Sequence, residues 1–90
     1  MSVEEANAKL LGASRSGDLG GVEAAISAGA DINAKGENGR TALIWASPEG
    51  HEKVAALLVE KGADINKASD RGRTPLFIAC LMGHLEVVRL

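Results

Sequence analysis

The stretch from Gly39 to Asn66, GRTALIWASPEGHEKVAALLVEKGADIN, has landmarks that return 33 residues away in both directions. Gly39, Arg40, Thr41 and Leu43 recur as Gly72, Arg73, Thr74 and Leu76, and Gly50-His51 recurs as Gly83-His84. Looking backward, Gly62-Ala63-Asp64-Ile65-Asn66 repeats Gly29-Ala30-Asp31-Ile32-Asn33 without a change. A fixed period of this length, held without insertion or deletion, is the mark of stacked units that bury their apolar faces against their neighbours. Such a stack offers an extended surface for binding rather than an enclosed site for chemistry.

The residues available to build the core narrow the fold class. The chain holds one Phe, one Trp and no Tyr, so its apolar interior must come from Ala, Leu, Ile and Val. That suits thin, closely stacked helices and an all-α fold. Ninety residues form one small domain, 1–90, with little material for a closed catalytic cavity. Ten basic and twelve acidic residues leave a formal charge of −2. No global field draws the chain toward phosphate backbones or anionic lipid, and neither nucleic acid nor membrane is expected as a partner. Cys80 is the single cysteine, which rules out an internal disulfide and a thiol-rich metal site and suits a reducing, intracellular compartment, cytoplasmic or nuclear. The acidic start lacks the basic segment and apolar run of a secretory signal. No window reaches the roughly eighteen consecutive apolar residues of a membrane helix.

The period divides the chain into units at about 2–35, 36–68 and 69–90. In the first, Ser2 and Glu5 have the spacing of a capping box. A helix is expected from about Val3 to Ser14, with Val3, Ala6, Leu10 and Ala13 as its apolar stripe and a wet outer side suited to a terminal cap. A second helix follows from about Leu19 to Ala28, with Val22, Ala25 and Ile26 facing inward. Gly20 and Gly21 weaken its first turn by roughly 1 kcal/mol each. Gly29 ends that helix, Asp31 and Asn33 bond the backbone of the following turn, and Ile32 is its apolar peg.

In the second unit Asn38-Gly39 is a turn signal, because both residues tolerate positive φ, and it marks the tip of a projecting finger. Thr41 caps a short helix from Ala42 to about Ser47, which Pro48 either closes early or distorts in its last turn. The partner helix runs from about His51 to Lys61, with Val54, Ala55, Leu57 and Leu58 buried. In the third unit Arg71-Gly72 repeats the finger tip and Thr74-Pro75-Leu76 opens the next helix. The sequence stops within the helix after His84 while Leu76, Ile78, Val87 and Leu90 remain apolar, so the chain is expected to be a fragment with further repeats or another domain beyond Leu90.

With GRTALIWASPEGHEKV at 39–54, GRTPLFIACLMGHLEVVRL at 72–90 and GADIN twice, the chain closely resembles the ankyrin repeat over essentially its whole length. It departs from the T-P-L-H pattern in having Ile44 and Phe77 where histidine is usual, Ala42 for proline, and an unexpected Pro48. The resemblance implies an ankyrin-type solenoid of stacked helix-turn-helix units with projecting β-turn or hairpin fingers. It further implies a non-catalytic interaction module, without cofactor or metal, that binds another protein in the concave groove between fingers and first helices. Position by position, that groove would be lined by Lys35, Glu37, Asn38 and Arg40 in one finger and Ala68, Asp70, Arg71 and Arg73 in the next. Pro48, Glu49, Leu81 and Met82 would be their helix-borne neighbours.

The finger positions hold five basic residues (Lys35, Arg40, Lys67, Arg71, Arg73) against two acidic ones (Glu37, Asp70), so they carry +3 and the rest of the chain −5. Such a groove suits an acidic segment; the competing reading is that these charges only keep an exposed edge soluble. Leu81 and Met82 suit either a partner contact or the next unit. Trp45, whose counterparts are Gly12 and Ile78, is expected to pack between units, with an interface anchor as the rival reading. Cys80, His51 and His84 could suggest thiol or metal chemistry, but a buried thiol among apolar neighbours and a histidine repeated after each turn glycine point to structural roles. Two other functions compete with the interaction module: a targeting or regulatory appendage of a larger enzyme or channel, and a purely architectural spacer.

Overall fold

The computed structural model describes residues 1–48 and 50–75. Its elements are α1 (Val3–Ser16), α2 (Leu19–Ser27), α3 (Ala42–Ala46) and α4 (Glu52–Glu60), with no strand among the described residues. Helix α1 packs on α2 and α3 packs on α4, while α1 also lies against α3 and α2 against α4. Two helix pairs are thereby stacked one on the other, which is the all-α solenoid that the period implies.

Helix α1 begins with the expected capping box. The Glu5 N–H donates to Ser2 Oγ at 3.1 Å, and the Ser2 N–H donates back to Glu5 Oε1 at 3.0 Å. The Ser2 backbone N–H foremost, with the Ser2 side chain behind it, holds the Glu5 carboxyl below its ordinary value. The helix ends at Gly17, whose φ of 77° is left-handed and whose N–H donates to the Ala13 carbonyl. Val3 departs from the expected stripe: it is 58 % exposed, because the first helical position lies one turn short of the packed cluster. Ser14 takes a place in the buried face instead.

Helix α2 is capped by Asp18, whose carboxylate accepts from the Gly21 N–H at 3.0 Å. The two glycines that follow are not equivalent. A Cβ on Gly20 would sit at ordinary contact distance from Asp18, whereas one on Gly21 would lie 2.6 Å from Asp18 Oδ2 and 3.0 Å from the Ala13 Cβ. Gly21 therefore makes room for the cap and for close approach of α1, which corrects the view of it as a simple weak point.

Thr41 caps α3, accepting from the Ile44 N–H at 3.4 Å, and the helix ends at Ala46, two residues before Pro48. The Ser47 hydroxyl donates to the Leu43 carbonyl at 2.7 Å and so satisfies a buried group at the shortened end. Helix α4 begins after His51 and closes near Gly62, whose φ of 93° matches the 96° of Gly29 one period earlier.

One apolar cluster joins all four helices: Leu10 and Ala13 from α1, Val22 and Ala25 from α2, Ala42, Leu43 and Ala46 from α3, and Val54, Ala55 and Leu58 from α4. Five of these ten are alanines, which lets the helix axes approach closely. Ile26, Ile32 and Leu57 pack against the cluster while remaining half-buried. Each large aliphatic side chain enclosed here contributes about 1.5–3 kcal/mol.

Polar joints fix the stacking. The Asn33 side chain accepts from the Asp64 N–H at 2.7 Å, and in the first pair Asn7 accepts from the Asp31 N–H at 2.7 Å. Asp31 and Asp64 each bond the N–H two residues on, the local turn the sequence predicts. His51 Nε2 donates to the Arg15 carbonyl at 3.1 Å, and its ring fills the space that a side chain on Gly17 would need. The repeated histidine thus has a structural use at His51; His84 lies outside the described residues, as do Cys80, the helix after Pro75 and its apolar positions.

Candidate functional site

The chain between the pairs folds into the finger. Asn38 (φ 58°, ψ 26°) and Gly39 (φ 68°) are both left-handed, and the Arg40 N–H bonds back to the Glu37 carbonyl at 3.2 Å. That is the type I′ geometry which an Asn-Gly pair favours. A bond from the Gly36 N–H to the Arg40 carbonyl at 2.9 Å closes the base. In the next finger the Ser69 N–H reaches the Arg73 carbonyl at 2.9 Å in the same way. Its tip differs: Gly72 has φ 73° but Arg71 does not share the left-handed conformation, since a β-carbon and long side chain make that costly.

The fingers touch each other. The Asp70 N–H donates to the Asn38 carbonyl at 3.0 Å, and the Asp70 carboxylate lies against Gly39 so closely that a Cβ there would collide with it. The two tips form one continuous edge. Along it Lys35, Glu37, Asn38, Asp70, Arg71 and Arg73 are exposed, while Arg40 and Ala68 are half-buried. Pro48 is half-buried beyond the end of α3; Glu49, Leu81 and Met82 lie outside the described residues. Part of Asp70 is thus committed to holding the fingers together.

Trp45 departs from the expected inter-unit core. It is half-buried on α3, and two guanidinium carbons lie over its ring, Arg40 at 4.8 Å and Arg15 at 5.0 Å from the centroid. Arg40 comes from the finger just before α3, whereas Arg15 comes from the last turn of α1 in the preceding pair. The counterpart of Trp45 in α1 is Gly12, which is exposed and has nothing within 4 Å of where its Cβ would be. Where α3 carries an aromatic ring, the equivalent place on α1 is therefore bare. The sequence places Arg15 only on the wet outer side of α1, with no binding role; the signal for more is that Gly12 and Arg15 are three apart and share a helical face.

Among the described residues, no Lys or Arg forms an ion pair, and Arg15, Arg40, Arg71 and Arg73 donate no side-chain hydrogen bond. Nor do three or more His, Cys, Asp or Glu side chains gather as a metal ion would require. No described helix is long and apolar enough to cross a membrane. The arrangement can offer unpaired cationic donors, an indole face and a rigid edge of turns.

Residues 10–90 match the family model described as ankyrin repeats (3 copies). No curated protein matches the sequence.

Proposed function

The chain belongs to the ankyrin repeat family, whose members are generally protein–protein interaction modules and typically non-catalytic, and on that premise we propose that residues 1–90 act as a single binding domain for a partner protein. The partner lies across the concave face formed by the fingers and the first helices, and presents an acidic segment to it. The protein works inside the cell, in cytoplasm or nucleus, without cofactor or metal.

One observation carries this reading: Lys35, Arg71 and Arg73 stand exposed on an edge that the Asn38–Asp70 bond makes continuous, and among the described residues none of them is neutralised by an acidic neighbour. An unpaired, preorganised set of cations favours carboxylates, and arginine can take them bidentately. Rigidity lowers the ordering cost of association. Glu37, Asn38, Arg40, Pro48, Glu49, Ala68, Asp70, Leu81 and Met82 complete the proposed face.

The test uses affinity capture by the intact chain, identification of the captured protein, and a titration with that protein after purification. Replacing Arg71 and Arg73 together by Ala should weaken the complex at least tenfold with far-ultraviolet circular dichroism unchanged. An unaltered affinity would remove this face from the account.

A further inference from the structure

We infer that Arg15 and Arg40, both held over Trp45, form a composite cationic anchor for the carboxylate side chains of an acidic peptide. This deepens the proposed function and rests on it, because the anchor lies where α1, α3 and the first finger meet.

Both guanidinium carbons lie within 5.0 Å of one ring centroid. Their separation is therefore under about 10 Å, a Debye length at 0.1 M salt, so the two charges feel each other. The indole face compensates each cation through its quadrupole, an attraction that leaves guanidinium N–H donors free. Among the described residues, neither side chain has an acidic partner or a hydrogen-bond acceptor. Two like charges this near one another without an acidic partner among the described residues make a place where carboxylates are bound with gain. The place is also built: the His51 bond to the Arg15 carbonyl fixes the helix end that carries Arg15, and the type I′ turn fixes the start of Arg40. Gly12, about one turn before Arg15 on α1, is exposed with nothing within 4 Å of where its Cβ would be, which leaves room for a peptide backbone.

Charge complementarity selects the occupant. An isolated carboxylate cluster meets the local cations, whereas a long phosphate backbone would also run past the remainder of a chain whose formal charge is −2.

Trp45 is the single tryptophan, so its fluorescence reports this place alone. The probes are a blocked pentapeptide with three carboxylates between two leucines, its carboxamide counterpart, and a single-stranded oligonucleotide, each titrated into the full chain. The acidic peptide should give a saturable change and the carboxamide peptide none. Arg15→Gln and Arg40→Gln should each weaken binding about tenfold, with circular dichroism confirming the fold. Absence of a saturable response, equal response to the carboxamide peptide, or tighter binding of the oligonucleotide overturns the anchor. So does binding that ignores both glutamine variants; if the Arg71→Ala, Arg73→Ala chain then loses the peptide, the broader finger surface stands while this anchor falls.

Discussion

The two helix pairs solve the same problems with different partners, and the contrast is sharpest where the repeat puts different residues in one position. Asp18 and His51 are one period apart. Asp18 turns inward on its own helix and caps α2, whereas His51 leaves the start of α4 without a side-chain cap and reaches the Arg15 carbonyl of the preceding pair. Ser14 and Ser47 are likewise counterparts: both are fully buried, but Ser47 donates to Leu43 while the Ser14 hydroxyl has no partner among the described residues. At the Asp18/His51 position the first pair is closed from within and the second leans on the first, whereas at the serines it is the second pair that is satisfied within its own helix.

If that asymmetry rests on a shared core, the largest effect should follow from Leu58→Ala. The side chain is fully enclosed in the cluster that joins the pairs, and its truncation should cost about 2–5 kcal/mol. Urea unfolding should still show a single transition; separate transitions for the two pairs would break the comparison by making them independent.

Next in size is Gly17→Ala. The left-handed φ of 77° alone costs a β-carbon about 1–2 kcal/mol, and the new atom would meet His51 Nδ1 at 2.6 Å. The substitution should therefore cost more in the wild-type chain than in a His51→Ala background, where only the backbone cost remains. Equal costs in a double-mutant cycle would show that His51 does not press on this turn.

The serines should respond with opposite signs. Ser14→Ala removes an unsatisfied buried hydroxyl and should stabilise by about 1 kcal/mol, while Ser47→Ala strips a bond from a shortened helix end and should destabilise by a similar amount. Thermal melts of the two variants decide this directly.

The smallest effect is confined to the start of α1. Because the folded Glu5 carboxyl titrates below its ordinary 4.5, its contribution is fully present above that pH and fades as the pH falls through the lower folded value. The difference in melting temperature between wild type and Glu5→Gln should be seen at pH 7 and shrink in acid. A constant difference would mean that the carboxylate charge is irrelevant to the cap.

Much of this architecture is legible in the chain because backbone requirements write themselves into residue type. Asn38-Gly39, Gly29, Gly62, Thr41 and the Ser2–Glu5 spacing each name a local geometry, and each was found. Pro48 likewise announced a short α3. What the pattern could not convey were relations between units. Trp45 looked like core because tryptophan area favours burial; that two arginines from separate elements cover it instead depends on the stacking angle, which no period encodes. Val3 satisfied the helical stripe yet had no neighbour to meet. Gly21 read as a weak helix residue because the approach of Asp18 and Ala13 is visible only in three dimensions. The finger residues were placed on one edge, as the resemblance implied, but the bond between Asn38 and Asp70 that unites them involves backbone groups which every residue except proline has in full.

That last trait extends to all the joints between pairs. Asn33 meets the N–H of Asp64, His51 meets the carbonyl of Arg15, and Asn38 and Asp70 meet through main chain alone. Each of these hydrogen bonds needs a particular side chain on one side at most, although the His51 ring also requires that Gly17 lack a β-carbon and Arg15 also packs on Trp45. Outside those two contacts, a unit can therefore change its outward residues without its neighbour having to change in step. Recognition can drift along the edge while the couplings that hold the array in register stay the same.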